Sequence, residues 1–307
     1  MAAMECDVLI IGGGPAGLTA GMYTARRKLE TIIVDKALPG GQMNLTHEIQ
    51  NWPGTQTITG QELSKNMAEH AKKSGAKIIA DEIEDVDPDG EHKKARGIIN
   101  EYKAKAVIIC TGGKHRPLNV PGEEELTGKG VSYCATCDAP FYKGKEVAVI
   151  GGGNSALEDS IYLHKIASKV HLIHRRDEFR AEPHRIEKAK KLGIHLITPK
   201  NAAKFEKTPE GKVKITFKEG GSITVDGVFI SIGYVPATAM FKDTGLECDD
   251  KAYIKVNSQQ ETNVPGMYAA GDITGRLAQI VVAAGDGAVA GMNAYKYVQK
   301  PYWSDKK

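Results

Sequence analysis

Gly12-Gly13-Gly14-Pro15-Ala16-Gly17 and Gly151-Gly152-Gly153-Asn154-Ser155-Ala156 are two versions of one signature. The first follows an apolar run, Cys6-Asp7-Val8-Leu9-Ile10-Ile11, and opens a helical pattern that lasts to about Arg27. A second strand, Thr31 to Val34, then closes on Asp35. The other version follows Val147-Ala148-Val149-Ile150, opens a helix to about Ala167 and reaches the strand Val170 to Ile173. The two lie 139 residues apart (151 − 12). A glycine-rich turn alone is a weak signal; between strand and helix, with another strand following, it marks a βαβ nucleotide unit. Gly12 permits the tight turn, Gly14 lets the backbone approach a pyrophosphate, and Gly17 lets helix and strand pack closely. Pro15 and Ala16 start a helix whose N–H groups and dipole favour phosphate. Gly151, Gly153 and Ala156 repeat the pattern, with Asn154 and Ser155 at the helix start.

Working outward, each unit has a later apolar strand that ends in glycine. Ala106 to Cys110 runs into Thr111-Gly112-Gly113, and Val228 to Ile232 runs into Gly233. A third such strand, Met267 to Ala270, ends in Gly271-Asp272 and precedes an alanine-rich helix from about Gln279 to Val298. Gln61 to Ser74 reads as a surface helix, and polar Asp81 to Lys94 as a hairpin region. The fold class expected is α/β, with two Rossmann-like dinucleotide-binding domains, the second inserted in a discontinuous first. Gly- and Pro-rich Pro117–Gly122 and Gly233–Gly245 read as the crossings. The expected spans are therefore 1–116 and 245–307 for the first domain and 117–244 for the second.

Bulk properties exclude several classes. A chain of 307 residues with 41% hydrophobic content is too long for one ordinary core. Its 41 basic and 38 acidic residues leave a net charge of +3, so nothing demands a nucleic-acid partner or an anionic membrane surface. The N-terminus lacks the pattern of a signal peptide. No apolar run approaches the roughly 20 residues needed to span a bilayer. A soluble, cytoplasmic protein is expected.

The ends of the two second strands differ. Asp35 lies 18 residues after Gly17, where a carboxylate accepts hydrogen bonds from ribose hydroxyls. Eighteen residues after Ala156 comes His174, followed by Arg175 and Arg176, with no acid at that point. Paired guanidinium groups there suit a 2′-phosphate. The first site therefore suits FAD and the second NADPH. Two such sites in one chain imply an electron relay that needs a further acceptor.

Of five cysteines, Cys6 and Cys110 lie in strand-like runs and read as buried hydrophobes, while Cys248 sits in a polar stretch. Cys134-Ala135-Thr136-Cys137 is a C-x-x-C, which is redox-active or zinc-binding. A structural zinc site needs two more ligands at matching spacing, and none is present, so no metal site is expected. A redox disulfide beside two nucleotide sites is the economical reading. Asp138, next to Cys137, can donate a proton if burial raises its pKa.

Together these residues resemble one known family along almost the whole chain. Gly12 to Gly17, Gly40-Gly41-Gln42 and Asn51-Trp52-Pro53-Gly54 resemble the FAD half of low-molecular-weight thioredoxin reductases. Cys134 to Asp138 resembles their active-site disulfide with its adjoining acid. His174-Arg175-Arg176-Asp177 through Phe179-Arg180-Ala181 resembles their NADPH motif. Gly271-Asp272 resembles their C-terminal FAD motif, with Arg276, Gln279 and Ile280 matching nearby. Asn154 stands where many members have Asp. The resemblance implies a cofactor-binding set that also includes Gly41, Gln42, Asn51, Thr111, Gly112 and Arg180. It further implies a homodimer, one FAD per subunit, and a thioredoxin or glutaredoxin-like protein as substrate. A ferredoxin–NADP reductase of similar fold would lack the C-x-x-C. A dinucleotide-binding redox sensor would not turn over NADPH, and relatives that use a deazaflavin donor look altered in the His-Arg-Arg motif. Disulfide and NADPH both belong to the inserted segment, so a rotation between domains is expected to bring each to the flavin in turn.

Overall fold

The computed structural model describes residues 3–46 and 48–299. It divides into two compact units, residues 1–114 with 235–307, and 115–234. Residues 300–307 of the expected C-terminal span lie outside the described part.

In the first unit, strand Met4–Ile11 leads through the glycine loop into helix Pro15–Arg26 and then strand Thr31–Asp35. The seven-stranded sheet has at its centre Met4–Ile11, parallel to both Thr31–Asp35 and Glu101–Ile109, with Lys77–Ala80 beyond Thr31–Asp35. Strand Glu101–Ile109 is shared along its length. Its first half pairs antiparallel with Lys93–Gly97, which continues into Ile83–Asp87 as the expected hairpin. Its last residues, Val107, Ile108 and Ile109, pair parallel with Met267–Ala269 from the far end of the chain.

Alternation along the central strand sends side chains to both faces. Val8 and Ile10 join Ala16, Leu18 and Ala20 of the first helix and Ala283, Ala290 and Ala294 of the C-terminal helix, Ile280–Gln299. Leu9 and Ile11 face the opposite way, onto Tyr102, Phe241, Ile254 and Ile273. The two helices touch through small residues: a methyl at Gly287 would lie 2.1 Å from the Ala16 carbonyl oxygen.

The second unit has a five-stranded parallel sheet in the order His195–Ile197, Lys169–Ile173, Glu146–Ile150, Gly227–Ile230, Val131–Ser132. One face, with Ala148 and Ile150, is covered by an antiparallel sheet of Ala202–Lys207, Val213–Phe217 and Ser222–Val225. The other, with Val147 and Val149, carries helices Asn154–Leu163 and Pro183–Lys191. The first of these helices ends at Leu163, four residues before the expected Ala167, where Ile166 and Ala167 turn back onto the Leu163 carbonyl.

The first chain crossing falls just before the segment that composition marks, and the return crossing falls inside Gly233–Gly245, at its start. Pro117–Gly122 belongs to the second unit. Leu118 and Val120 pack in its core, their N–H groups bond the buried Glu123 carboxylate, and a side chain at Gly122 would strike the Phe205 carbonyl. The return crossing is at Tyr234/Val235 instead of 244/245. Phe241 is buried with Met240 and Leu246 in the first unit, and the Ala237 N–H donates to Gly112 O at 3.0 Å. Glycine and proline mark these segments because they turn sharply, and the turns happen to be packed.

Gly287→Ala forces the C-terminal helix off the first by its added methyl and should cost about 1–3 kcal/mol, seen as a lower melting temperature. Gly285→Ala, whose methyl meets no atom within 4 Å, should melt at or above the parent temperature. Equal losses at both positions would show that close backbone approach is not what selects Gly287.

Candidate functional site

The two glycine loops are built alike. Gly12 has φ +107°, and a Cβ there would lie 2.3 Å from Cys110 O; one at Gly17 would lie 1.9 Å from Gly12 O. At Gly151 the obstruction is Ser231 O at 2.2 Å. By contrast a Cβ at Gly14 or Gly153 would meet nothing within 4 Å, so open space faces each helix start. Neither helix has a side-chain cap, and Pro15 occupies the first turn of one of them. Their first-turn N–H groups are directed at that space, where an anion suits them.

Beneath each loop sits the residue that ends the second strand. Gly13 N–H donates to Asp35 Oδ2 at 2.6 Å, and Ala37 N–H to Asp35 Oδ1 at 2.9 Å. Each oxygen keeps a lone pair for a further hydrogen-bond donor. In the second unit Gly152 packs on the His174 imidazole, which also stacks on Phe179 with ring centroids 5.1 Å apart. His174 is buried, and burial, with the Arg180, Arg175 and Arg176 charges behind it, holds its pKa below the ordinary value. It forms a neutral floor, whereas Arg175, Arg176 and Arg180 are exposed around it. Arg180 is tied to the loop through its N–H, which donates to Gly152 O at 2.8 Å. Asn154 Oδ1 accepts from Glu182 N–H at 2.9 Å; Ser155 is exposed and Ala156 buried.

Sequence-distant residues gather on the first loop. Gly40 N–H donates to Gly13 O at 2.7 Å, and a Cβ at Gly41 would lie 3.3 Å from Gly14 Cα. Gln42 Nε2 reaches Gly113 O at 3.1 Å, while Thr111 Oγ1 donates to Ala237 O at 3.1 Å. Gly271, φ +79°, sits beside Ala16, and Asp272 follows it. Asn51 Nδ2 donates to Gln279 Oε1 at 3.0 Å across 228 positions, and Ile280 packs with Met43 and Trp52. Arg276 pairs with Asp286 Oδ1 at 2.5 Å. Asp286, buried in the C-terminal helix and also bonded by Gln260 Nε2, was not singled out from sequence; a lone acid in an alanine-rich helix was the available signal.

The cysteine pair lies on the second unit. Edge strand Val131–Ser132 runs into the short helix Ala135–Asp138, and Cys134 caps it. Cys134 and Cys137 are disulfide-bonded, with Cα atoms 5.3 Å apart, and both are half-buried. Cys137 N–H points at Cys134 Sγ at 3.2 Å, a contact that favours a thiolate on Cys134 once the bond is broken. Burial raises the Asp138 carboxyl above the usual carboxylate range, and the Ser132 hydroxyl pulls it part of the way back. Nearby Tyr142 is pushed up to about 12 by burial, then by the Asp138 and Asp226 charges. Cys6 and Cys110 are buried, and Cys248 is exposed. Among the described residues no group of three or more His, Cys, Asp or Glu is arranged to hold a metal ion. None of their helices is long and apolar enough to cross a membrane.

Two dinucleotide loops and a bonded C-x-x-C define an oxidoreductase class, and residues 6–287 match the family described as pyridine nucleotide-disulphide oxidoreductases. The chain is 43% identical over 304 residues to the thioredoxin reductase of Bacillus subtilis, covering 96% of this chain and 95% of that one. To the thioredoxin reductase of Listeria monocytogenes it is 44% identical over 303 residues, covering 96% and 94%. It aligns with the crystal structure of thioredoxin reductase from Streptococcus pyogenes at TM-score 0.92 and 38% identity, over 97% of this chain and all 100% of that one. The chain belongs to the low-molecular-weight thioredoxin reductases.

A raised carboxyl pKa binds its proton more tightly in the folded than in the unfolded chain. The stability it contributes is complete below the unfolded value of about 4 and is lost as pH rises through the folded value. Asp138→Asn cannot ionise, so its melting temperature should gain on the parent's as pH rises from about 4 through the raised folded value. A constant difference across that range would mean that Asp138 ionises as freely folded as unfolded.

Proposed function

We propose that the first unit holds FAD, that the second holds NADPH, and that Cys134–Cys137 passes the electrons to a thioredoxin or glutaredoxin-like protein. The observation that carries this reading is the bonded pair beside a half-buried carboxyl, on the same unit as an arginine-flanked dinucleotide loop. The residues fit both cofactors. The room before Gly14, the near contact of Gly41 and the Asp35 carboxylate suit an FAD pyrophosphate and ribose. The room before Gly153, with Arg175, Arg176 and Arg180 exposed beside it, suits a 2′-phosphate.

Bound flavin would supply the disulfide with two electrons and one proton, received as hydride from NADPH. The S–S bond breaks and two thiols form. The second proton comes from Asp138, which ends as a carboxylate and is recharged from solvent. The Cys137 N–H directed at Cys134 Sγ marks Cys134 as the readier thiolate to attack a protein disulfide. Homodimer assembly is inferred from the family, and sedimentation at micromolar concentration checks it.

Steady-state NADPH oxidation against a panel of thioredoxin-like proteins, with NADH beside it, tests the whole reading. Consumption that stops after one equivalent would point to a redox sensor. Replacing Arg175 and Arg176 with Ala removes charge-assisted bonds of roughly 1.5–3 kcal/mol each. The KM for NADPH should rise at least about tenfold while NADH kinetics barely change. Equal losses for both cofactors would assign the arginines elsewhere.

Cys134→Ser or Cys137→Ser should abolish disulfide turnover yet leave flavin bound and bleached by NADPH. Retention of the parent rate with a thioredoxin would remove the pair from the pathway. Disulfide and nicotinamide site share the inserted unit, so the rotation expected from topology also belongs to this proposal. A reversible cross-link between the units should permit one half-reaction and stop turnover; full turnover when locked would exclude it.

A further inference from the structure

We propose that His171 and His195 form a two-imidazole site for a divalent transition-metal ion, with the Glu146 carboxylate holding His171 in the tautomer that binds. Neither the dinucleotide loop nor the cysteine pair uses these residues. Strands Glu146–Ile150, Lys169–Ile173 and the edge strand His195–Ile197 run parallel, and His171 faces His195 directly across the ladder. The two Nδ1 atoms lie 3.0 Å apart, with the ring planes at 67°. His171 is buried, at 5% exposure, whereas His195 is exposed on the edge. On the far side of its ring, His171 Nε2 lies 2.6 Å from Glu146 Oε1, which also takes Lys169 Nζ at 3.1 Å.

These contacts fix where each proton sits. The bond from His171, then Lys169, holds the Glu146 carboxyl below the usual carboxylate range, so it is ionised and can only accept. His171 Nε2 must therefore carry a proton. Burial holds the His171 pKa below its ordinary value, so the ring has no second proton and its Nδ1 presents a lone pair. The hydrogen between the two Nδ1 atoms then belongs to His195. A carboxylate on the far nitrogen is the arrangement that orients a metal-binding histidine and raises its basicity. A metal ion takes the place of the His195 Nδ1 proton: two N–metal bonds form, one N–H bond breaks, and the proton leaves to the buffer. With N–metal bonds of about 2.0–2.1 Å, a 3.0 Å separation gives an N–metal–N angle of about 95°. A tetrahedral ion needs the nitrogens about 3.3 Å apart, so the spacing suits the right angles of square-planar or octahedral Ni²⁺ or Cu²⁺. Water completes the shell from the open side at His195, since no group of three or more His, Cys, Asp or Glu among the described residues is arranged to hold an ion. The ion ties the edge strand to its neighbour, and Ile197 at the end of that strand accepts the His174 N–H at 3.0 Å. Bound metal thus braces the floor of the dinucleotide loop.

The test titrates Ni²⁺ into the full-length, FAD-loaded enzyme with its disulfide intact. Isothermal calorimetry should show one Ni²⁺ bound per chain. Titrations in buffers of different ionisation enthalpy, above neutral pH, should show about one proton released per ion. His195→Ala should weaken binding at least about tenfold, and Glu146→Gln should weaken it to a similar degree with the stoichiometry kept. Substitution of His184, an exposed histidine of the same unit, by Ala should leave binding as in the parent. Saturating Ni²⁺ should raise the melting temperature of the parent and not that of His195→Ala. None of these readouts requires turnover, so they stand apart from the cofactor assignments. A parent that takes up no Ni²⁺ overturns the proposal, as does binding that releases no proton or that His195→Ala leaves unchanged.

Discussion

Everything in this molecule hangs on how closely backbone approaches backbone where a strand turns into a helix. At Gly17 and Gly12 the gap leaves no room for one methyl group, and Gly151 repeats the constraint against Ser231. Removing the side chains lets the helix start end-on behind the strand, with uncapped N–H groups facing open space. A larger residue would tilt the helix, and the space in front of Gly14 or Gly153 would close. Asp35 and Arg180 are each tied to one of those two turns by a hydrogen bond.

The two units use one backbone plan with opposite electrostatics. Under the first loop lies a carboxylate held by two N–H groups. Under the second lies an imidazole kept neutral by burial, with the positive charge moved outward onto arginines. A charged imidazole there would sit in a dry place beside three cations, so neutrality of His174 is the cheaper arrangement. Asp138 shows the converse choice, a carboxyl whose burial favours its neutral, proton-bearing form.

Most of this was legible in sequence because its causes are local. Strand, glycine turn, helix and strand follow in order, so both nucleotide units could be located almost to the residue, and the C-x-x-C announces itself. What was illegible depends on contacts far along the chain. The crossings were placed late because glycine and proline reveal a turn but not whether Phe241 or Leu118 packs against it. The antiparallel sheet Ala202 to Val225 went unread, since its short strands lie between polar turns. The bond between Asn51 and Gln279 joins residues 228 apart, and only the family resemblance placed both at one site. Ser132 and Asp286 carry no motif; burial beside Cys134 and beside Arg276 is what distinguishes them.

The shared strand Glu101–Ile109 has a consequence for synthesis on the ribosome. Its edge at Val107 to Ile109 waits for Met267–Ala269, which emerges only after the entire inserted segment. Residues 115–234 can collapse as soon as they are out, for all five parallel strands and the antiparallel cover belong to that stretch. The older half of the first sheet meanwhile holds an unpaired, wholly apolar ledge, the kind of edge on which nascent chains associate. The order of chain emergence thus makes the N-terminal segment the last to be completed, and its vulnerable interval lasts as long as translation takes to run from Ile109 to Ala269.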